Sequence, residues 1–266
     1  MKKISLSLVI FFILVIIESC APTKEAEKKP EEEVFKKNIP AQTVKILSVN
    51  AAHQLVDKTS VKKFADWLKT TGAEVISVQE IERPREGNEG FDAAAELAKN
   101  LDMRMFFGKA RYYQGFDSGN ALFSLYPIQQ TNIFQLPTGK GKVRRSLTYG
   151  IIDTGLRGIG FATTELDDES FSERVKQSYE ILQLAEKLKD YPLVISGMFG
   201  EPSNGKIAAK LEKSFSLCNV LDSAAAVMPQ HIYVSINSTI TPAAANKIKY
   251  NAAEAVLITL HVQQKK

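Results

Sequence analysis

The chain has two cysteines, three histidines and one tryptophan among 266 residues, and a net charge of only +4. Each scarcity excludes something. Cys20 lies in the N-terminal region, so Cys218 has no partner for an internal disulfide, and stability must come from the core. Cys218 itself, in the stretch SFSLCNVL, is expected to be a buried thiol acting as a small hydrophobe. Lys and Arg are interspersed with acids, and the pI near 8.8 is mild, so composition gives no footprint for nucleic acid. The basic run from Lys140 to Arg145 is expected to be a solvated loop. With 44% hydrophobic and 24% charged residues, the chain has ordinary globular composition, and no internal repeat interrupts it.

The longest apolar run is N-terminal. Lys2 and Lys3 precede Ile4 to Ile17, which is shorter than the roughly 18 to 20 residues that span a bilayer, and small residues with a cysteine follow. Ile17-Glu18-Ser19-Cys20 resembles a bacterial lipobox. Residues 1–19 are thus expected to be a lipoprotein signal peptide, with Cys20 acylated and a membrane as the partner it reaches. The expected location is the bacterial cell envelope, on the periplasmic side of the outer membrane or at the cell surface. Residues 20–40 are rich in Lys, Glu and Pro, the composition of a charged flexible tether. The folded domain is expected over 41–266.

Within it, VKILSVNA and EVISVQE have the pattern of apolar strands flanking a helix that carries Val61, Phe64 and Leu68 and stops at Gly72. A second helix is expected from about Gly90 to Leu101, and successive short strands from Met103 to Thr164. A third helix, from about Phe171 to Leu188, starts at Ser170 or Ser172 and has Val175, Tyr179, Leu182, Ala185 and Leu188 as its expected inner stripe. A buried strand YPLVISGMF, a short helix near Lys206 and two closing strands, HIYVSIN and AVLITLHV, complete an α/β (α+β) pattern.

Several strand ends carry polar residues of interest. Asn50 ends the first strand, Gln79-Glu80 the second, and SGNALFS contains Asn120. Arg145, TTEL (163–166), an Arg174-x-x-Gln177 pair, GMFG (197–200), HIYVS and AAEAV follow in that order. In this order the segments resemble the endonuclease/exonuclease/phosphatase superfamily, a set of metal-dependent phosphoesterases. The resemblance implies a four-layered α-β-β-α sandwich of two packed mixed sheets with outer helices. It implies a magnesium ligand at Glu80, and contacts to a phosphate-bearing ligand at Asn50, Asn120 and Arg145.

The departures from the family pattern are more telling. A histidine is expected where Glu165 stands, the Asp and Asn of Gly-Asp-Phe-Asn where Met198 and Gly200 stand, and an aspartate in the segment around Ile232 and Tyr233. The closing Asp-His pair falls at Ala253 and Glu254. None of these replacements activates water or protonates a leaving group, and His231 and His261 are expected to be structural. General acid–base groups contribute about 10²- to 10⁴-fold each, so losing several leaves little catalysis. The resemblance also places Glu80, Glu165 and Glu254 on one cleft, where three unpaired carboxylates would repel a phosphodiester.

The resulting expectation is a lipoprotein whose enzyme-like domain is catalytically silent and binds an unknown protein or small molecule. No cofactor is required, although Glu80 leaves magnesium open, and nucleic acid is not indicated. The alternative is a magnesium-dependent phosphoesterase rebuilt around Glu80 with Glu165, Glu254 or Glu201.

Overall fold

The computed structural model describes residues 42–85, 87, 89–218, 230–236 and 238–263. The signal peptide, Cys20 and the tether lie outside them. In chain order the elements are β1 (Gln42–Asn50), α1 (Lys58–Thr71), β2 (Val75–Pro84), α2 (Ala93–Leu101), β3 (Arg104–Tyr113) and β4 (Phe116–Ser124). Then come β5 (Ile128–Gln135), β6 (Ser146–Asp153), β7 (Gly158–Glu165), α3 (Phe171–Lys187), β8 (Leu193–Met198) and α4 (Lys206–Leu211). The last are β9 (Phe215–Leu217), β10 (Gln230–Ser235), β11 (Ile240–Tyr250) and β12 (Ala253–Val262).

Local chemistry sets the helix ends. Asp57 and Ser60 form a reciprocal cap at the start of α1, and Gly72 ends it in the left-handed conformation that costs glycine least. Asp92 caps α2, which starts three residues later than the sequence suggested, and Ser170 caps α3. Among the described residues, no helix is long and apolar enough to cross a membrane.

The strands form two six-stranded sheets, ordered β11-β12-β1-β2-β4-β3 and β5-β6-β7-β8-β10-β9. Strand periodicity sorts their side chains into layers. On β1, Val44 and Ile46 face the second sheet, while Leu47 and Val49 meet Val61, Phe64 and Leu68 of α1 and Leu97 of α2. On the other side, Tyr149, Ile195 and Tyr233 pack against Ile181 and Leu184 of α3 and Ile207 and Leu211 of α4. This is the four-layered α-β-β-α sandwich, with helices outside both sheets.

Three expectations are corrected. Tyr179 is 52% exposed, while Val175, Leu182, Ala185 and Leu188 pack half-buried against the core beside the more deeply buried Glu173, Gln177, Ser178, Ile181 and Leu184. Polar anchoring turns the helix: Gln177 accepts from the Asp167 N–H at 2.8 Å and donates to the Pro137 carbonyl at 3.1 Å, while Glu173 accepts from the Gly139 N–H at 2.9 Å. The closing strands HIYVSIN and AVLITLHV are not alone, because ITPAAANKIKY forms β11 and pairs along β12. Its mostly exposed small and polar residues hide the alternation that marks a half-buried strand. Cys218 is half-buried instead of enclosed, with burial pushing its thiol up to about 12.

Candidate functional site

The layer between the sheets changes character along its length. At one end it is aliphatic, with Val44, Ile46, Val75, Val194, Ile232 and Ile258. Further along, the same inward rows carry hydroxyls and amides. Gln79 donates to Thr163 at 2.8 Å and accepts from Gln230 at 2.9 Å; Ser48 donates to Gln230 at 2.7 Å, and Ser77 meets Ser196 at 2.7 Å. These groups are buried and satisfy one another across the sheets, as buried polar groups must. Beyond them the rows end in Asn50, Met198 and Glu165.

A bulge aims Glu80. The β2–β4 register shifts between Val78 and Ile81, and Glu80 takes φ of 50°, an unusual conformation for a residue with a side chain. Glu80 thereby follows Gln79 toward the inner face while Ile81 returns to the helix side with Val78. Ala52 and His53, after β1, also have positive φ. Such clustered strain typically marks a site whose surroundings hold it in place.

Two adjoining spaces share Glu80. The first is a cleft of about 440 Å³ lined by Asn50, Gln54, Met198, Gln230, Ala253 and Glu254, among others. The second is a narrow crevice between Glu80, Arg111, Asn120, Arg145 and Glu165, with no free room for a water molecule.

The charges in both are already paired. Arg111 lies 3.4 Å from Glu80, and His53 places Nε2 3.5 Å from Glu80 and Nδ1 2.9 Å from Glu82. Tyr113 stacks on the His53 ring at 4.6 Å. Burial alone would raise the Glu80 carboxyl, but His53, the Asn50 amide and Arg111 outweigh it and hold it well below the usual carboxylate range. The hydrogen bond to Glu80 in turn raises the His53 imidazole above its ordinary value. Arg145 is 3% exposed and sits 2.5 Å from Glu165 and 3.0 Å from Asp168. Burial pushes the Glu165 carboxyl up to about 7, with Arg145 offsetting only part of the rise and the Glu80 carboxylate adding to it. Glu254 meets Lys247 at 2.9 Å and Lys249 at 3.9 Å.

The expected trio of repelling carboxylates is therefore corrected. Glu80 shares the cleft with Glu254 and the crevice with Glu165, which it still repels, but Glu165 and Glu254 line different spaces and each of the three lies beside a basic side chain. The remaining sequence candidates divide. Asn50 lines the cleft, donating to the Met198 thioether at 2.6 Å and accepting from the Ala52 N–H at 2.5 Å. Asn120 is buried and donates to the Ser146 carbonyl at 3.0 Å. Ile232 is fully buried in the intersheet core, and it is Gln230, two residues earlier on β10, that reaches the cleft. The antiparallel register explains this, since Gln230 lies opposite Met198 and Ile232 opposite Ser196. Gly200 sits against Arg174, outside the cleft. His231 stacks on Phe199 in the core, and His261 is exposed on β12. Glu201 caps α4 through the Ile207 and Ala208 N–H groups and is no metal ligand candidate. His53, Glu82 and Arg111 were missed; their only signal in sequence was proximity to the ends of β1 and β2.

No protein-family model matches the chain, and no curated protein matches its sequence. Solved structures do match in three dimensions. An endonuclease/exonuclease/phosphatase from Beutenbergia cavernae DSM 12333 superposes with a TM-score of 0.68 at 15% identity, over 83% of this chain and 72% of that one. The human Nocturnin catalytic domain, solved with a bound sulfate anion, gives 0.65 at 14% identity over 84% and 94%. A mannosyl-6-phosphatase of Bacteroides thetaiotaomicron VPI-5482 gives 0.59 at 14% identity over 82% and 98%. The chain has the fold of the endonuclease/exonuclease/phosphatase superfamily, whose members include phosphatases and nucleases.

That fold raises the question of a divalent metal at Glu80. Magnesium takes hard oxygen ligands in near-octahedral array. Around Glu80 stand the Arg111 guanidinium, a histidine and the Asn50 amide, whose oxygen is taken by a backbone N–H and whose nitrogen meets the Met198 thioether. Among the described residues no three His, Cys, Asp or Glu side chains are placed to hold a metal ion. A cationic fork and a soft thioether do not suit magnesium, so this donor set does not fit the metal.

Proposed function

We propose that this domain is a non-catalytic member of its fold class, held at the bacterial envelope by an acylated Cys20 and used as a scaffold that binds a protein or small molecule. The observation that carries the reading is the internal pairing of the site's charges. Glu80 is matched by the Arg111 guanidinium and the His53 imidazole, so a cation arriving there must displace both partners. Arg145 is matched by Glu165 and Asp168, so an incoming phosphate meets a guanidinium already engaged and two carboxylates beside it. Phosphoryl transfer relies on unspent positive charge at the developing anion and on a group that orients water. Glu165 and Met198 supply neither.

Calorimetric titration of the full chain with magnesium, manganese and calcium tests this, alongside hydrolysis of bis-(4-nitrophenyl) phosphate and 4-nitrophenyl phosphate with each metal. The expected outcome is no saturable heat and no turnover above that of a Glu80→Ala control. Metal binding that vanishes in Glu80→Ala, with turnover that vanishes alongside it, would instead establish a phosphoesterase rebuilt around Glu80.

A further inference from the structure

At the far end of β8 from the cleft lies a second, unrelated space. Met198 closes the strand at the cleft; Leu193 opens it about 16 Å away at the usual rise per residue. There, a cavity of about 450 Å³ is bounded by the C-terminal part of α3, the β6–β7 turn, the start of β9 and the β10–β11 turn. Its volume is in the range of small-molecule sites.

The lining is of two kinds. Leu182, Tyr191, Phe215 and Ile236 give an apolar floor, and Ile236 is 42% exposed, as if awaiting cover. Arg157 and Lys213 stand at its edge. Arg83, Arg111 and Arg145 each meet a carboxylate within ion-pair distance, whereas Arg104 and Arg174 donate to the Leu125 and Asp167 carbonyls. Arg157 meets no carboxylate among the described residues: its Nη1 donates to the Thr239 hydroxyl, its Nε is buried without a partner, and burial is the sole influence on its guanidinium. Of the two acids in the lining, Glu186 is taken by Lys189 at 3.1 Å, and Asp190 pairs with no cation among the described residues. The Arg157 fork has no counter-ion of its own among the described residues, and a carboxylate is the group that matches its geometry.

We infer that this cavity is a binding site for a small monoanion with an apolar body, a carboxylate carried on a hydrocarbon ring or short chain. The carboxylate meets Arg157, with Lys213 adding charge at the rim, and the apolar part covers Tyr191 and Ile236. Aromatic surface in the floor favours a ring, and a space of about 450 Å³ is the size of a small-molecule site.

The probe is 2-naphthoate, titrated into the full chain in nanodiscs and followed by ligand-observed NMR. Saturable binding is expected, with Arg157→Gln weakening it by about tenfold or more, as loss of a charge-assisted contact does. Ala185→Phe, which fills the cavity from α3, is expected to abolish binding independently. The neutral 2-naphthol is expected to bind at least about tenfold more weakly, and inorganic phosphate not to compete. Absence of saturable naphthoate binding overturns the proposal, as does equal affinity in folded Arg157→Gln and Ala185→Phe proteins, or phosphate binding as tight as naphthoate. Should Arg157→Gln fail to fold, Arg157→Lys keeps the charge without the fork and is expected to fall between wild type and Ala185→Phe.

Discussion

His53 and Glu80 are linked titrations, and the link has a sign. The folded protein holds His53 more strongly protonated than the ordinary value of 6.5, so its pairing contributes fully below that pH and fades as pH rises through the raised value. Glu80 is depressed below its ordinary 4.5, so its contribution is present above that pH and lost on acidification through the lowered value. Both therefore operate together between about pH 4.5 and 6.5. In urea denaturation across pH, His53→Gln is expected to lower stability most within this window and progressively less toward pH 8.5. A gap between variant and wild type that stays constant across the range would show that the histidine acts by packing on Tyr113 alone. Of these partners, Glu80 was legible only through the resemblance to the superfamily, since a glutamate at the end of an apolar strand is by itself an ordinary solvated residue. His53 and Arg111 were not legible at all, because their meeting depends on the bulge at Glu80 and on left-handed turns at Ala52 and His53, which no local composition announces.

The strands bring this pattern together through close approach of the two sheets, and glycine at one crossing permits it. A side chain at Gly108 on β3 would meet the Thr148 hydroxyl, with Thr148 Cβ and Cγ2 both at 2.8 Å, on β6 of the other sheet. Gly108→Ala is expected to cost about 1–3 kcal/mol by overpacking, seen as a lower urea midpoint with unchanged slope. A neutral result would mean the sheets separate there without penalty. At this scale the sequence was informative wherever alternation or helical spacing had apolar residues to mark it, as in α1, β1 and β2. It misled where polar anchors set the face: α3 turns Gln177 and Glu173 inward, and Tyr179 outward under the Lys210 ammonium, 3.5 Å from its ring centre. In β11, small residues left no periodic mark. For the site, register decided more than motif, since Gln230 takes the cleft position by standing opposite Met198.

For the whole molecule, the acylation proposed at Cys20 would separate an envelope scaffold from a freely diffusing one. Cys20→Ser in the full chain is expected to remove palmitate labelling and shift the protein from the membrane to the soluble fraction. Unchanged fractionation with unchanged labelling would remove the lipoprotein reading and leave the fold untouched. The fold itself adds a constraint on how such a protein is made. β1 sits between β2 and β12, pairing with the latter from Gln42↔Val262 to Val49↔Ala255. The first strand to leave the ribosome thus finds one of its two neighbours only when the last has been synthesised. A chain with so distant a closing contact folds slowly, and its first sheet stays open until β12 is available, which would suit the export that the proposed envelope location requires.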